Sequence, residues 1–198
     1  MAKQIQSWKN PAILLMSIGI SSIGNFIYLV AINIIIYQLT GSAAAVAGLW
    51  IIGPLTNIVT KFWTGSFIDY RSKRKIMMVT YVIRAVFICM IPLVPNMAII
   101  YGILVVLSVA NAFFTPSSMT YATIIVPKEK RKRFNSIRSF ATSGAFIVGP
   151  AFGGSLILLT SVETTLWINA LFFVVSAGCL LLLPEKEKID KDTIPSLT

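Results

Sequence analysis

Residues 97–122 read MAIIYGILVVLSVANAFFTPSSMTYA and contain no charged side chain. An α-helix rises about 1.5 Å per residue, so about 20 apolar residues are needed to cross a bilayer core of about 30 Å. This stretch is 26 residues long and therefore predicts a membrane-spanning helix. The basic run Lys128 to Arg133 follows closely and marks the return of the chain to water.

Six apolar runs of this kind occur along the 198 residues. Hydrophobic residues make up 56% of the chain and charged residues 12%, an imbalance that one soluble core of this size cannot bury. We therefore predict an all-α integral membrane protein, with residues 1–11 before the first helix and residues 184–198 as a charged tail. The predicted helices cover residues 12–37, 43–67, 76–95, 97–122, 137–160 and 165–183.

The composition also excludes several kinds of chemistry. The chain has no His, which removes His-dependent general bases, zinc sites and triads. Cys89 and Cys179 both lie inside apolar runs, so a disulfide framework is not expected. The sequence thus predicts neither an enzyme nor a metal or cofactor site.

The loop charges predict an orientation. Fifteen of the 17 Lys and Arg residues fall in the N-terminus, the loops after the second and fourth helices, and the tail. Because positive loops stay in the cytoplasm, both termini are predicted to be cytoplasmic, in a prokaryotic cell membrane. The run Lys128 to Arg133 could instead indicate nucleic acid, but a short loop between two spans explains it better, with some attraction to the lipid bilayer.

The connection after the second helix reads GSFIDYRSKRK over residues 65–75. It resembles the loop signature of the major facilitator superfamily, although Tyr70 and Ser72 replace a basic residue and a glycine of that pattern. The resemblance implies that this loop is a conformational latch against a second six-helix half. The residues concerned are Gly65, Asp69, Arg71, Lys73 and Arg74. A plain positively charged loop is the alternative.

The fifth predicted helix carries GAFIVGPAFGG over residues 144–154, which resembles the signature of antiporters in the same superfamily. Proline kinks a membrane helix, and glycine allows another helix to approach closely. The resemblance implies that this motif packs across the interface between two halves. Its residues are Gly144, Gly149, Pro150, Gly153 and Gly154.

Three further segments are similar to the macrolide-efflux and siderophore-exporter branch of drug:proton antiporters: residues 114–116, 125–129 and 135–136, together with Arg84 and Ala85. The resemblance implies the N-terminal half of a twelve-helix fold, built from two inverted three-helix repeats. It also implies efflux of a drug-like or other hydrophobic small molecule by alternating access, with the proton gradient as energy source.

Two polar stripes are candidates for the substrate pathway, because the resemblance implies that the first and fourth helices line the cavity. Small polar residues that only join helices are the alternative. Arg84 lies deep in the third helix and is predicted to face protein. The pathway candidates are Ser21, Asn25 and Tyr28, and Ser108, Asn111 and Thr115, with Ser17 and Ser118 in the same stripes.

The chain holds only one predicted half, which leaves three interpretations open. It is a half-transporter that pairs with a separately encoded second half or with a copy of itself, and in that form exports a small molecule. Alternatively, it is a truncated remnant that moves nothing. An unrelated channel or intramembrane enzyme is the third interpretation, which the absence of His and of paired intramembrane acids disfavours. No nucleic-acid partner is expected.

Overall fold

The computed structural model describes residues 8–69 and 71–185, with the backbone alone at residues 65, 66 and 69. Within those ranges the chain is all helix and contains no strand. Six helices are long and apolar enough to cross a membrane, which confirms the predicted fold class. They are α1 (Lys9–Thr40), α2 (Ala43–Asp69), α3 (Lys73–Met90), α4 (Met97–Ile125), α5 (Arg131–Leu159) and α6 (Val162–Leu181). Short 3-10 turns cover Ile91–Leu93 and Lys128–Lys130.

Polar residues at the short connections fix where helices begin and end. Gly41 ends α1 in a left-handed conformation, with φ of 62°, and donates its N–H to the carbonyl of Tyr37. The side chain of Asn96 accepts from the N–H of Ala98 at 2.9 Å and starts α4. Ser161 starts α6 in the same way. Each cap satisfies a backbone group that the helix leaves unpaired.

Four helices, α1, α3, α5 and α6, begin earlier than predicted, and α3 and α5 are the two that extend through several cations. α5 begins at Arg131 rather than residue 137, and α3 begins at Lys73 rather than residue 76. Lys and Arg are good helix formers, so a helix continues beyond its apolar stretch. The Arg131 side chain also donates to the carbonyls of Thr123 and Val126 at the end of α4. The cations predicted for loops therefore partly occupy helix ends.

The helices contact one another in a paired pattern. α1 packs on α5 and α6, α4 packs on α2 and α3, and α3 packs on α6. These five most extensive contacts are unchanged when α1 is exchanged with α4, α2 with α5 and α3 with α6. The chain crosses the bundle three times in α1–α3, so α4–α6 begins at the opposite end from α1. This arrangement agrees with two inverted three-helix repeats.

The buried core lies between α1, α3, α4 and α6. Its largest fully buried side chains include Tyr81, Tyr121 and Phe173. In contrast, every residue of α2 from Ala43 to Trp63 is at least partly exposed, and α5 exposes large apolar side chains such as Phe140. α2 and α5 thus offer apolar faces to lipid or to another protein body.

We call the end of the bundle that carries Lys73–Lys75 and Lys128–Arg133 the basic end.

Candidate functional site

A polar network joins α1, α3 and α6 inside the core. The hydroxyl oxygens of Ser21 and Tyr81 are 2.8 Å apart. The Ser17 hydroxyl donates to the carbonyl of Ser176 at 2.9 Å, and the Tyr81 ring packs on the Phe114 ring with centroids 4.7 Å apart. In an apolar medium each of these bonds replaces an unsatisfied polar group, so the network fixes how the three helices meet.

Arg84 lies one turn further along α3 and is 7% exposed. Its Nη2 donates to Asn25 Oδ1 at 2.6 Å, and its Cζ lies 4.7 Å from the centre of the Phe173 ring. Its Nε is buried and has no hydrogen-bond partner among the described residues. Both amide atoms of Asn169, also buried, are unpartnered there as well. The core therefore holds a membrane-embedded cation whose bonding capacity is only partly used.

Beside Arg84, a cavity of about 240 Å³ lies between α1, α2, α3 and α4. Its apolar wall includes Trp50, Leu104 and Leu107. The polar residues that line it are Tyr28, Asn33, Asn57, Arg84, Ser108 and Asn111. The cavity thus combines one cation with amides and hydroxyls, an arrangement suited to holding a small polar or charged group.

The predicted pathway residues separate into three groups. Tyr28, Ser108 and Asn111 line the cavity together with the intramembrane Arg84. Asn25 contacts Arg84, and Ser21 belongs to the Tyr81 network. The outlier, Thr115, is exposed on α4 and donates to the carbonyl of Asn111 in its own helix at 3.3 Å.

At the basic end, one residue of the predicted latch, Arg74, forms hydrogen bonds within this six-helix bundle. Arg74 donates from Nε and Nη2 to the carbonyls of Leu180 and Leu181, both at 2.8 Å, and so caps the end of α6. A cation is favourable there because a helix C-terminus carries partial negative charge. Lys73 is buried at the start of α3, and Arg71 is exposed with its Cζ 5.6 Å from the Phe67 ring centre.

The two remaining latch residues, Gly65 and Asp69, lie on the last turns of α2. The structure describes only their backbone, so the predicted contacts of Asp69 lie outside the described residues. The neighbouring Lys75 forms an ion pair with Glu185, with Nζ and Oε1 2.6 Å apart. The hydrogen bond from Lys75 lowers the pKa of the exposed Glu185 carboxyl below its usual range.

Two glycines of the helix-five motif lie close to α1. A Cβ added at Gly149 would lie 2.5 Å from the Cβ of Phe26, and one at Gly153 would lie 3.2 Å from the Cα of Ile27. These two glycines therefore pack on α1 of the same body. The absence of a side chain lets the two membrane helix backbones come this close.

The other glycines of that motif do not pack closely on a neighbouring helix. A Cβ at Gly144 or Gly154 would meet no atom of the described residues within 4 Å. Pro150 is half-buried inside α5. These positions are therefore free to face lipid or another body.

Sequence reasoning missed the α6 side of the network: Asn169, Phe173 and Ser176. Their spacing of four and three residues puts them on one helix face. The signal available was a polar pair, Asn169 and Ser176, in the part of α6 that is otherwise apolar after Thr165. Polar side chains in such positions commonly join membrane helices.

Comparison with known proteins agrees with this architecture. The sequence profile described as Major Facilitator Superfamily matches residues 14–196. The chain is 28% identical over 166 residues to "Multidrug efflux pump Tap" of Mycolicibacterium fortuitum, covering 77% of this chain and 40% of that protein. It is 29% identical over 182 residues to "Multidrug efflux pump Tap" of Mycobacterium tuberculosis, covering 85% and 43%.

A third relative is "Uncharacterized MFS-type transporter YfiS" of Bacillus subtilis, which is 28% identical over 183 residues, covering 92% of this chain and 44% of that protein. The chain therefore spans less than half the length of these curated relatives. The family match, in contrast, covers nearly the whole chain and agrees with the six membrane-spanning helices. This multi-pass membrane protein belongs to the Major Facilitator Superfamily.

Proposed function

We propose that the chain forms one of two six-helix bodies of an efflux transporter that exports a drug-like or other hydrophobic small molecule. The observation that carries the proposal is the polar cavity beside Arg84, which opens next to the exposed helix α2. Relatives named as multidrug efflux pumps support the same direction of transport and class of substrate. The basic end is proposed to face the cytoplasm, with both chain termini on that side.

A second body explains the surface of this one. Asn57 and Trp50 line the cavity from α2, a helix whose membrane-spanning part is exposed along its length. Covering α2 and the open side of α5 with six further helices would enclose the cavity between two bodies, as alternating access requires. The second body is either the remainder of a longer transporter, a separately encoded chain or a copy of this one.

The energy source is proposed to be the proton gradient. Proton carriers inside membranes are commonly Asp, Glu or His, and the described residues that line the cavity include none of these. The proton-binding carboxylate is therefore proposed to lie on the second body, facing Arg84 or its neighbours across the cavity. This body then contributes substrate contacts and a fixed positive charge.

Transport of a fluorescent cationic dye such as ethidium, measured in everted membrane vesicles energised with a proton gradient, tests the proposal. Vesicles that contain this chain together with a second six-helix body should take up the dye, and vesicles with this chain in a single, unpaired form should not. Absence of uptake with every partner, including an excess of this chain, would instead support a non-transporting protein.

The latch is tested in the same vesicles. Asp69→Asn should reduce uptake severalfold if this residue holds the two bodies in one conformation, whereas the matched change Glu129→Gln, at an exposed acid of the other basic connection, should leave uptake unchanged. Equal uptake in both variants would contradict the assignment of Asp69.

A further inference from the structure

The charge balance around Arg84 is unusual for a membrane interior. All seven acids of the sequence lie at the ends of the six helices, in connections or in the tail. Among the described residues, the guanidinium contacts the neutral amide of Asn25 and the ring of Phe173. Neither carries the full negative charge that a buried cation needs to offset its loss of hydration.

Arg84 lies so far along α3 that its side chain does not reach the water at the membrane surface. It is the twelfth residue of α3, about 17 Å along the helix at about 1.5 Å per residue. The side chain turns into the bundle, where it is 93% buried, instead of extending to the basic end. An intramembrane cation that faces protein and lines a cavity is a functional site rather than a snorkelling side chain.

The cavity supplies the other features of an anion site. Tyr28, Ser108 and Asn111 bring hydroxyl and amide groups that can donate hydrogen bonds. Its volume of about 240 Å³ accommodates a halide or the carboxylate end of an organic acid. The unpartnered Nε of Arg84 leaves a guanidinium donor available on the same residue.

We infer that the cavity beside Arg84 is a binding site for a monovalent anion, either a free inorganic ion or the carboxylate of a small organic compound. Only one part of this inference rests on the proposed function, namely that the cavity belongs to a transport pathway. The binding itself requires neither transport nor a second body, so the two can fail independently.

Trp50 lines the cavity and provides a built-in probe. The test uses the full chain in lipid nanodiscs with the other three tryptophans changed to Phe, and measures quenching of Trp50 fluorescence by iodide. A matched chain keeps only Trp63, which is 75% exposed on the same helix and lies outside the cavity. Iodide should quench Trp50 in a saturable manner, whereas Trp63, on the lipid-facing side of α2, should be quenched only weakly and in a linear, collisional manner.

Two competitors then distinguish the sources of the anion. Chloride should restore Trp50 fluorescence if the site takes free inorganic ions, and benzoate should restore it if the site takes organic carboxylates. Benzamide, which matches benzoate in shape but carries no charge, should restore none. Linear quenching of Trp50, equal to that of Trp63, would overturn the inference. This outcome does not depend on whether variants at Arg84 fold.

Substitution of the cation supplies the second test. Arg84→Gln should weaken iodide binding by roughly fivefold or more, the effect of one unit charge at about 4 Å even in bulk water. Arg84→Lys should retain saturable quenching, because it keeps the charge. Equal iodide affinity in the Gln variant and the parent chain would show that the anion binds elsewhere.

Discussion

The α1–α5 contact and the α2–α4 contact occupy equivalent places in the two repeats but use different chemistry. In the first, Gly149 and Gly153 bring the backbone of α5 against Phe26 and Ile27 of α1. In the second, the Tyr101 hydroxyl of α4 donates to the carbonyl of Ala45 in α2 at 2.8 Å. One contact depends on close backbone packing and the other on the tip of a long side chain.

The difference explains where the cavity lies. Backbone packing leaves no room between α1 and α5, since even one added Cβ at Gly149 would overlap Phe26. Side chains make the contacts between α2 and α4, namely the Tyr101 hydroxyl and, near the basic end, the rings of Phe67 and Phe113, whose centroids are 5.5 Å apart. The cavity of about 240 Å³ lies beside α2. We expect α2, rather than α5, to be the helix that shifts with least cost.

The largest effect is expected from Gly149→Ala. The added Cβ would lie 2.5 Å from the Cβ of Phe26 and 3.3 Å from the carbonyl oxygen of Ile23, and neither atom can move without its helix. Overpacking costs about 1–3 kcal/mol, and the 2.5 Å overlap places Gly149 at the upper end of that range. Because Ala also gains about 1 kcal/mol in helix propensity, we expect the free energy of unfolding to fall by about 2 kcal/mol. Unfolding in mixed micelles, followed by tryptophan fluorescence, measures the change.

Gly154→Ala is the matched control on the same helix. A Cβ at Gly154 meets open space among the described residues, and Ala favours helix over Gly by about 1 kcal/mol. The free energy of unfolding should therefore stay the same or rise. A similar loss of stability in both variants would mean that the close approach of α5 to α1 is not what stabilises this contact.

A smaller effect is expected from Tyr101→Phe, which removes the hydrogen bond from α4 to α2. Interhelical hydrogen bonds in membranes contribute about 0.6 kcal/mol on average, so the free energy of unfolding should fall by about 0.5–1 kcal/mol. The same mixed-micelle unfolding measures it, with Tyr37→Phe as control because Tyr37 is 56% exposed at the end of α1. A loss larger than that of Gly149→Ala would reverse the ranking of the two contacts.

The sequence was sufficient for the helices and for several members of the site, among them Tyr28, Arg84 and Asn111. Apolar runs of about 20 residues predict spans because a bilayer sets their length. The depth of Arg84 predicts a residue that faces protein, because the membrane interior penalises an unpartnered charge. The starts of α3 and α5 were predicted too late, since hydropathy does not register a helix that continues through Lys and Arg.

The partners within the site were harder to predict. Periodicity gives the face of a helix but not the helix that it meets, so Asn169 and Phe173 of α6 were missed. It also groups residues whose side chains turn to different neighbours, as with Asn111 in the cavity and Thr115 outside it. The glycines of α5 were recognised, but only the three-dimensional contacts identify α1 as their partner.

The smallest effect is expected from Gly48→Ala, the nearest equivalent of Gly149 in the α2–α4 contact. The added Cβ would lie 3.1 Å from the hydroxyl oxygen of Tyr101. This oxygen is the end of a long side chain and can shift by a few tenths of an ångström. This cost opposes the gain of about 1 kcal/mol in helix propensity, so the free energy of unfolding should change by less than about 0.5 kcal/mol. In the Tyr101→Phe background the clash disappears with the hydroxyl, and Gly48→Ala should then become stabilising. If the double variant shows no such gain in mixed-micelle unfolding, the hydroxyl is not the group that limits the approach of α2 to α4.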